Sequence, residues 1–463
     1  MPKPFTFPNL NIDLTLKSRE ASNYSYLCCM EISTILQKLQ IEHLNSMQEE
    51  VLRQFRAHQD FMLLAPTGSG KTLAFALLVA RLVEEKKNSC QCLIVVPTRE
   101  LALQIERVIR SVMEGHKVVC VYGGNDSRLE KNKLKDAPTV LIGTPGRIIY
   151  HIEKEHFSTK HIHTVVLDEF DKSLELGFQE QLKFILEACP QTRQKILTSA
   201  TFHEELPDFV TLRQVITVNR LVSHENQPDL CFLKVISPAQ HKLKALFNLL
   251  CQLEDKKVLI FCNHRDAVDH ISELLDDRGI IHDVFHGGLE QRDRELAILK
   301  FRNNSNRILL TTDLAARGLD IPEIDVIIHY QLPTKEDAFI HRNGRTARMH
   351  ATGEVIVLLK PDDIFPYLPE GTEELHIQHD LPLPPNTSFC TLYVPLGKKH
   401  KVNKIDFVGY ILKIEGISKD DLGLIEVKDK ESYIAVRRNL ATKIIQEGSN
   451  GKIKGNKVKF SRT

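Results

Sequence analysis

A glycine-rich segment, APTGSGKT at residues 65–72, carries the residue types that bind a nucleotide phosphate. Gly68 and Gly70 allow the tight turn in which several backbone N–H groups point at one phosphate. Lys71 brings a positive charge to the outer phosphates, and the Thr72 hydroxyl can ligate Mg²⁺. An apolar run precedes the segment and a helical pattern follows it, which is the context that such a loop requires. We therefore predict a nucleoside triphosphate site formed by Ala65, Pro66, Thr67, Gly68, Ser69, Gly70, Lys71 and Thr72.

Two carboxylates follow the apolar run at 165–167. Open α/β sheets bind ligands at the carboxyl edge of their strands, so Asp168 and Glu169 are placed to meet the same nucleotide. Asp168 would hold Mg²⁺, partly through water, and Glu169 would polarise the attacking water. Beside a complete phosphate loop, this pair favours triphosphate hydrolysis over an acidic strand end that only faces solvent.

The elements that must position these residues follow a repeated pattern. Short apolar runs alternate with helical patterns, and the alternation starts again after residue 218. Strands that alternate with helices predict parallel sheets, so we expect two α/β domains in series. The tail has the order βαββαβ, with its last strand at 457–461, which is typical of an α+β, RRM-like domain. The predicted divisions are an N-terminal extension at 1–23, α/β domains at 24–219 and 220–362, a proline-containing linker at 363–388 and the RRM-like domain at 389–463.

The composition excludes a disordered chain, which would combine low hydrophobicity with a large net charge. Of the 463 residues, 42% are hydrophobic, and 61 Lys and Arg balance 60 Asp and Glu. The net charge of +1 combines −7 over residues 1–395 with +8 over residues 396–463. The near-neutral total therefore contains a basic tail that is suited to RNA.

Cysteines and apolar runs predict the compartment. The ten cysteines form no C-x-x-C pair and no even spacing, which indicates a reducing environment. We find neither a secretory signal nor an apolar run of membrane length, so we expect a cytoplasmic protein without a membrane partner. Four histidines cluster in a polar stretch, but their spacing fits no familiar zinc site: His151, His156, His161 and His163.

A longer series of motifs, in the right order over about 300 residues, resembles that of the DEAD-box RNA helicases. The first domain has PTRELA at 97–102, GG at 123–124, TPGR at 144–147, DEFD at 168–171 and SAT at 199–201. The second has LIFCN at 259–263, HGGLEQRDR at 286–294, TDLAARGLD at 312–320 and HRNGRTAR at 341–348. The resemblance implies two tandem RecA-like domains and an RNA-dependent ATPase that uses ATP and Mg²⁺ to open short RNA duplexes.

The same resemblance implies roles for individual residues. Arg345 and Arg348 are three apart, so a helix would place both on one face, as arginine fingers that reach nucleotide on the first domain. Further implied roles are coupling of hydrolysis to strand separation (Ser199, Thr201), contact with the ribose (Gly318, Asp320) and recognition of adenine (Gln48). The aromatic residue that stacks on adenine is left open between Tyr24 and Tyr26. One RNA strand would be held through its backbone by Arg99, Gly124, Thr144, Arg147, Gln291, Arg294 and Thr312.

The chain departs from the family pattern at two places. Phe170 stands where the family has a small residue, so a large side chain must find room beside Glu169. The segment before Gln48 lacks the usual glycine and proline, so adenine selectivity has less support than nucleotide binding.

The tail resembles the RNA-binding domain of the bacterial DEAD-box protein A group, through LGLIEV at 422–427, SYIAV at 432–436 and KIKGNKVK at 452–459. In that group the domain docks the helicase on structured ribosomal RNA. The resemblance therefore implies a monomeric motor that acts on large-subunit rRNA in ribosomal precursor particles. Tyr433 is the main candidate for stacking on an RNA base.

Two other functions stay open. The chain could be a general mRNA or RNP remodeller, or an ATP-gated RNA clamp. From another class, it could be an RNA-binding scaffold without ATPase activity, which the intact Lys71, Glu169, Arg345 and Arg348 disfavour.

Overall fold

The computed structural model describes residues 29–66, 68–84, 88–201, 206–221, 230–313, 324–346, 353–449 and 451–463. Some predicted site residues lie outside these ranges: Tyr24, Tyr26, Thr67, Gly318, Asp320 and Arg348.

Lobe 1 (residues 29–221) is built on a parallel sheet. Its strands are β1 (Phe61–Leu64), β2 (Cys92–Val95), β3 (Val118–Val121), β4 (Val140–Gly143), β5 (Thr164–Leu167), β6 (Gln194–Ser199) and β7 (Ile216–Asn219). Within the described residues they lie in the order β3-β4-β2-β5-β6-β1-β7. The helices are α1 (Cys29–Leu39), α2 (Ser46–Gln54), α3 (Lys71–Leu82), α4 (Arg99–Val112), α5 (Ser127–Leu134), α6 (Pro145–Glu153), α7 (Phe170–Glu175) and α8 (Gln179–Glu187).

Helices cover both faces of this sheet, which explains why its strands are apolar without alternation. In β2, Cys92 and Ile94 pack in one apolar core, whereas Leu93 and Val95 pack in the other. All four residues are buried. The sheet therefore presents only its edges, where loops meet solvent, to a ligand.

Lobe 2 (residues 230–359) repeats this design. Its strands are β8 (Leu230–Ile236), β9 (Val258–Cys262), β10 (Asp283–Phe285), β11 (Ile308–Thr312), β12 (Val326–His329) and β13 (Gly353–Leu359). With a short edge strand, β14 (Glu373–Glu374), they form a parallel sheet in the order β10-β11-β9-β12-β13-β8-β14 within the described residues. The helices are α9 (Lys242–Gln252), α10 (Arg265–Asp277), α11 (Gln291–Arg302) and α12 (Glu336–Asn343).

The connector (residues 360–388) follows the surface of lobe 2. Its strand β14 pairs with β8, and the Phe365 ring packs edge-on against Phe339. Asn248 and His379 share a hydrogen bond of 2.8 Å. The connector is therefore attached to the surface of lobe 2.

The tail domain (residues 389–463) has an antiparallel sheet. It contains β15 (Phe389–Val394), α13 (Lys404–Ile411), β16 (Leu422–Val427), β17 (Ser432–Arg437), α14 (Ala441–Gly448), β18 (Lys452–Ile453), β19 (Asn456–Lys457) and β20 (Ser461–Arg462). Its main sheet has the order β16-β17-β15-β20 within the described residues. The last strand begins at Ser461, later than the predicted 457–461, because β18 and β19 form a hairpin first. Lys454 and Gly455, with φ of 47° and 84°, make the two-residue turn of that hairpin.

No helix in the described ranges combines the length and the apolar character needed to cross a membrane. The following cysteines are free thiols: Cys90, Cys92, Cys120, Cys189, Cys231, Cys251, Cys262 and Cys390.

Candidate active site and nucleic-acid interface

The phosphate loop joins β1 to α3, and glycines make its turn. Gly68 and Gly70 have φ of 83° and 86°, in the left-handed region that favours glycine. Lys71 begins α3, and its Nζ donates to the carbonyl oxygens of Ala65 at 2.6 Å and Pro66 at 3.1 Å. Burial lowers the pKa of Lys71, although nearby carboxylates oppose this effect. The loop therefore wraps around a buried amine.

Gln48 lies against this loop, with only 5% of its surface exposed. At the start of α2 it forms a reciprocal capping box with Asn45. Its Nε2 donates to the Gly70 carbonyl at 3.2 Å, and Asn45 Nδ2 donates to the Ser69 carbonyl at 2.9 Å. Gly70 has φ of 86°, so a side chain at that position would be strained, and its Cβ would also lie 2.4 Å from Gln48 Nε2. The structure thus ties Gln48 to the loop that is predicted to hold nucleotide.

Asp168 and Glu169 follow β5, near enough to Lys71 for their charges to act on it. Thr198 Oγ1 donates to Asp168 Oδ1. Glu169 has φ of 47°, a strained conformation for a residue with a side chain, and its buried Oε2 has no hydrogen-bond partner among the described residues. Burial raises the pKa of both carboxyl groups. Glu169 therefore presents an unsatisfied oxygen at the sheet edge.

The SAT motif connects the phosphate loop to Asp171. The Ala65 N–H donates to the Ser199 carbonyl at 3.0 Å. Ser199 Oγ donates to the Thr201 carbonyl at 2.7 Å, and Thr201 Oγ1 donates to Asp171 Oδ2 at 2.9 Å. Hydrogen bonds therefore link the phosphate loop, the SAT motif and Asp171 in one series.

Phe170 finds its room inside lobe 1. It is 2% exposed and belongs to the apolar cluster that contains Val95, Ile148 and Leu182. The ring packs under the sheet, on the side of α6 and α8, so it does not occupy the carboxylate edge.

Lobe 2 contacts the acidic segment of lobe 1 (Asp168, Glu169 and Asp171) through α12 and the residues that follow this helix. His341 Nε2 lies 3.5 Å from Asp171 Oδ2, and both residues are buried. Burial alone would raise the pKa of Asp171, but the hydrogen bond and charge of His341 hold it well below its usual range. Arg345 is 6% exposed, and its charge partly offsets the effect of burial on Glu169. The structure therefore brings Arg345 to the acidic site.

Four predicted RNA contacts lie where the lobes touch. A Cβ on Gly124, whose φ is 90°, would lie 2.7 Å from Arg99 Nη1, so the glycine makes space for that guanidinium. Arg99 Nη1 donates to Gln291 Oε1 of lobe 2 at 3.2 Å. Arg294 of lobe 2 pairs with Glu100 Oε1 of lobe 1 at 2.6 Å. Residues from both lobes thus form one polar strip.

The remaining predicted RNA contacts of the lobes are Thr144, Arg147 and Thr312. Thr144 is the N-cap residue of α6, but its side chain makes no capping hydrogen bond. Arg147 Nε donates to Glu130 Oε2 at 2.6 Å, and its Nη2 donates to the Asn125 carbonyl at 3.1 Å. Thr312 ends β11 and is 8% exposed.

Tyr433 lies in the contact between the tail domain and lobe 2, with 1% of its surface exposed. Its hydroxyl donates to Glu431 Oε1 at 2.8 Å, and Glu431 pairs with Arg292 of α11 at 3.1 Å. Lys428 Nζ lies 5.2 Å from the ring centre and pairs with Glu295 of α11. The ring therefore offers no face on which a base could stack in this arrangement.

The sequence prediction omits some residues that make these contacts. His341 and Glu100 stand inside the motifs at 341–348 and 97–102, so their positions were a usable signal. Glu130 lies outside every motif, and only the packing of α5 against α6 shows its contact with Arg147.

Comparisons with known proteins agree with this geometry. The DEAD/DEAH box helicase family model matches residues 45–209, the helicase conserved C-terminal domain matches 241–350, and the DbpA RNA binding domain matches 391–462. ATP-dependent RNA helicase DbpA of Escherichia coli (strain K12) is 30% identical over 435 residues, which cover 91% of this chain and 95% of that protein. The chain belongs to the DEAD-box family of ATP-dependent RNA helicases. A Bacillus subtilis (strain 168) DEAD-box relative, also named ATP-dependent RNA helicase DbpA, is 29% identical over 479 residues, 95% of this chain and 98% of its own.

Solved DEAD-box structures share the fold. S. cerevisiae Dbp5 bound to RNA and ADP BeF3 matches with a TM-score of 0.65 and 25% identity, over 71% of this chain and 87% of that one. Mss116p bound to ssRNA and AMP-PNP matches with a TM-score of 0.64 and 25% identity, over 76% and 78%. The predicted fold class, two tandem RecA-like sheets with a further α+β domain, is therefore confirmed.

Proposed function

We propose that this DEAD-box helicase hydrolyses ATP with Mg²⁺ to open short RNA duplexes locally, and that it does so on large-subunit rRNA during ribosome assembly. The contact between His341 and Asp171, 3.5 Å long and buried, carries the proposal. It joins lobe 2 to the acidic segment of lobe 1 and brings Arg345 to Glu169. Such a site is complete only when the lobes meet, which couples hydrolysis to a motion of the whole core.

The proposed nucleotide site uses the loop and both carboxylates. The buried Glu169 Oε2 without a partner, and Asp168 beside Lys71, suit a cation and a polarised water. Thr72 and Asp168 would hold Mg²⁺, which neutralises phosphate charge when bound. Lys71 would exchange its two loop carbonyls for phosphate oxygens, and Glu169 would accept a proton from the attacking water.

Further residues complete the proposed nucleotide site. Arg345 would stabilise the charge that develops on the γ-phosphate. Gln48 would read adenine from its place against Gly70. Ser199 and Thr201 would pass the change to Asp171. From the family resemblance we also assign Thr67 to the phosphates, Gly318 and Asp320 to the ribose and Arg348 to the γ-phosphate.

One RNA strand would cross both lobes along the polar strip. The proposed backbone contacts are Arg99, Gly124, Thr144 and Arg147 on lobe 1, with Gln291, Arg294 and Thr312 on lobe 2. Because ATP and RNA would both favour the arrangement in which the lobes touch, each would strengthen binding of the other. Contacts to the sugar–phosphate backbone make the core insensitive to sequence.

The tail domain would supply the address on RNA. Residues 396–463 carry a net charge of +8, and residues 391–462 match the DbpA RNA binding domain. The resemblance to the bacterial DEAD-box protein A group supports a structured ribosomal target and a monomeric motor. We keep the predicted divisions of the chain: the extension at 1–23, ATP-binding domain at 24–219, helicase C-terminal domain at 220–362, linker at 363–388 and RNA-binding domain at 389–463.

ATP turnover by the full-length protein, with and without RNA, tests the hydrolytic site. We expect Glu169→Gln to lower RNA-stimulated turnover by roughly 100-fold or more, the contribution of a positioned general base. Glu180→Gln, which changes an exposed carboxylate on α8, is the matched control and should behave as wild type. Undiminished turnover in Glu169→Gln would contradict the role of Glu169.

Crosslinking of the full-length protein to total cellular RNA tests the address. We expect crosslinks concentrated on large-subunit rRNA, and a strand-displacement assay should show short duplexes opening faster than long ones. Crosslinks spread across mRNA would contradict the ribosomal assignment and favour a general remodeller.

A further inference from the structure

A buried carboxylate, Glu130, lies behind the RNA-facing edge of lobe 1. We propose that Glu130, held in place by a hydrogen bond from His151, is a positioning residue. It keeps Arg147 and the turn before Gly124 in the geometry that binds RNA. The proposal deepens the proposed function and rests on the RNA role of Arg147.

Glu130 uses both carboxylate oxygens. Its Oε2 accepts from Arg147 Nε at 2.6 Å and from His151 Nε2 at 2.8 Å. Its Oε1 accepts from the backbone N–H of Tyr122 at 3.2 Å. Glu130 is 1% exposed and His151 is fully buried, so solvent cannot replace these contacts.

The carboxylate is ionised in this setting. Burial raises the pKa of Glu130, but the hydrogen bonds from His151 and Arg147 outweigh burial, and the net shift is downward. An ionised carboxylate only accepts hydrogen bonds, so His151 donates through Nε2. His151 Nδ1 lies 2.8 Å from His156 Nδ1, so the far side of the His151 ring is held by a second histidine. The two contacts together fix the orientation of the His151 ring and hence the hydrogen bond that it donates to Glu130.

This carboxylate reaches two predicted RNA contacts at once. Tyr122 directly precedes the GG turn, in which Gly124 makes space for Arg99. Arg147 has Nε on Glu130 and Nη2 on the Asn125 carbonyl, and its guanidinium carbon lies 4.9 Å from the Tyr150 ring centre. The Arg147 guanidinium is held on three sides, so it can donate to a phosphate only through its remaining N–H groups. Because the side chain is already ordered, it loses little conformational entropy when RNA binds.

Two members of the histidine cluster belong to this set of contacts. His151 and His156 bind each other, and the described residues contain no group of His, Cys, Asp and Glu suited to a metal ion. His163 contacts Thr164 and Gln91 instead, at 3.0 and 3.3 Å.

Glu130→Gln in the full-length protein tests the role. Glutamine has one acceptor oxygen in place of two, so its –NH2 group must face at least one of the three N–H donors, and we expect the RNA concentration for half-maximal ATPase stimulation to rise about tenfold, the scale of one lost charged hydrogen bond. The KM for ATP and the rate at saturating RNA should change less than twofold, about the limit of such assays. Glu153→Gln, an exposed carboxylate at the end of α6, is the matched control.

A double-mutant cycle with Arg147→Ala separates positioning from general destabilisation. If Glu130 acts mainly through Arg147, Glu130→Gln should add at most about a twofold effect in the Arg147→Ala background. An added effect of about tenfold in that background would overturn the positioning of Arg147 by Glu130, because Glu130 would then act without Arg147. If Arg147→Ala alone leaves RNA affinity unchanged, the assignment of Arg147 to RNA fails, and that failure is distinct from the failure of Glu130.

A pair of His151 variants guards against poor folding of Glu130→Gln. His151→Gln keeps an N–H donor for Glu130, whereas His151→Leu removes it. We expect RNA affinity near wild type for His151→Gln and a loss of about threefold or more for His151→Leu. Equal RNA affinity in the two variants would overturn the proposal.

Discussion

Gly124 and Arg99 show how tightly single residues are set at the boundary between the lobes. The glycine has φ of 90°, and the nearest atom to a Cβ built on it would be Arg99 Nη1 at 2.7 Å. We expect Gly124→Ala to strain the turn by roughly 1–2 kcal/mol and to push Arg99 away from Gln291. RNA affinity, measured as the half-saturating RNA concentration for ATPase stimulation, should fall by about tenfold.

The neighbouring glycine supplies the control. A Cβ on Gly123 would approach Arg99 no closer than 3.5 Å, and that residue does not require a positive φ. Gly123→Ala should therefore bind RNA more tightly than Gly124→Ala. Equal losses in the two variants would show that the spacing to Arg99 is not what Gly124 provides.

Residues inside motifs were predictable because their chemistry depends on local spacing. The phosphate loop, Asp168 and Glu169 follow strands at the expected places, and the structure gathers them. Glu130 was not predictable, because its partners are 8, 17 and 21 residues away and meet it only after α5 packs against α6. The destination of Phe170 was not predictable either, since the sequence does not show the pocket that receives the ring.

At the scale of elements, the two sheets were predictable and the end of the chain was not. Strands covered on both faces are apolar runs, and such runs are visible in the sequence. The hairpin of β18 and β19 depends on Lys454 and Gly455 adopting positive φ. Because this hairpin comes first, the final strand begins only at Ser461. Tyr433 occupies a strand of the RRM-like sheet as expected, but a strand cannot reveal that α11 of lobe 2 covers it.

Strand β12 and helix α12 share a buried histidine that should make lobe 2 sensitive to acid. His329 is fully buried, between Asn343 at 2.8 Å and Arg342 at 3.4 Å. Burial, with the positive charge of Arg342, lowers the pKa of His329 to about 3, against an ordinary value of 6.5. The folded protein keeps this imidazole neutral between these two values, while the unfolded chain takes up a proton. Stability that is present above pH 6.5 is therefore lost progressively as the pH falls towards 3.

His329→Gln tests this account through the pH dependence of the unfolding free energy, and not through its absolute value. Glutamine keeps a donor and an acceptor but does not titrate. Between about pH 7.5 and pH 5.5, wild type should lose about 1.4 kcal/mol more unfolding free energy in lobe 2 than the variant does. Unfolding in urea, monitored by hydrogen exchange in the strands of lobe 2, measures the difference. Parallel pH dependence in both proteins would contradict the account.

At the scale of the whole molecule, the tail domain is attached to lobe 2 through one face of its sheet. Two ion pairs, Lys428 with Glu295 and Arg292 with Glu431, lie at the rim of this contact. Arg292 is 60% exposed, so solvent and salt screen its pair. Lys428 and Glu295 are 21% and 35% exposed, so solvent also reaches their pair. Ion pairs open to solvent contribute about 0–1 kcal/mol each. The rim alone therefore gives weak attachment.

The centre of the same contact is a buried hydrogen-bonded group. Thr391 Oγ1 accepts from Asn303 Nδ2 at 2.9 Å and shares a hydrogen bond of 2.8 Å with Ser305 Oγ. Thr391 and Ser305 are each 2% exposed. A buried polar group that loses its partner costs about 1–3 kcal/mol, more than a rim pair contributes. The centre should therefore decide whether the tail stays attached.

Thr391→Val tests which part of the contact dominates, because valine keeps the shape and removes the hydroxyl. We expect hydrogen exchange at residues 303–306 and in β15 to speed up by about tenfold or more, while Lys428→Met, which removes a rim pair, changes it by less than about fivefold.

Salt gives an independent check, since the Debye length falls from about 10 Å at 0.1 M to about 3 Å at 1 M. Protection at the centre should persist in 1 M salt if the neutral hydrogen bonds dominate, as about 1 kcal/mol per pair predicts. Loss of protection in salt, or a larger effect of Lys428→Met, would mean that the ion pairs hold the tail domain on the motor.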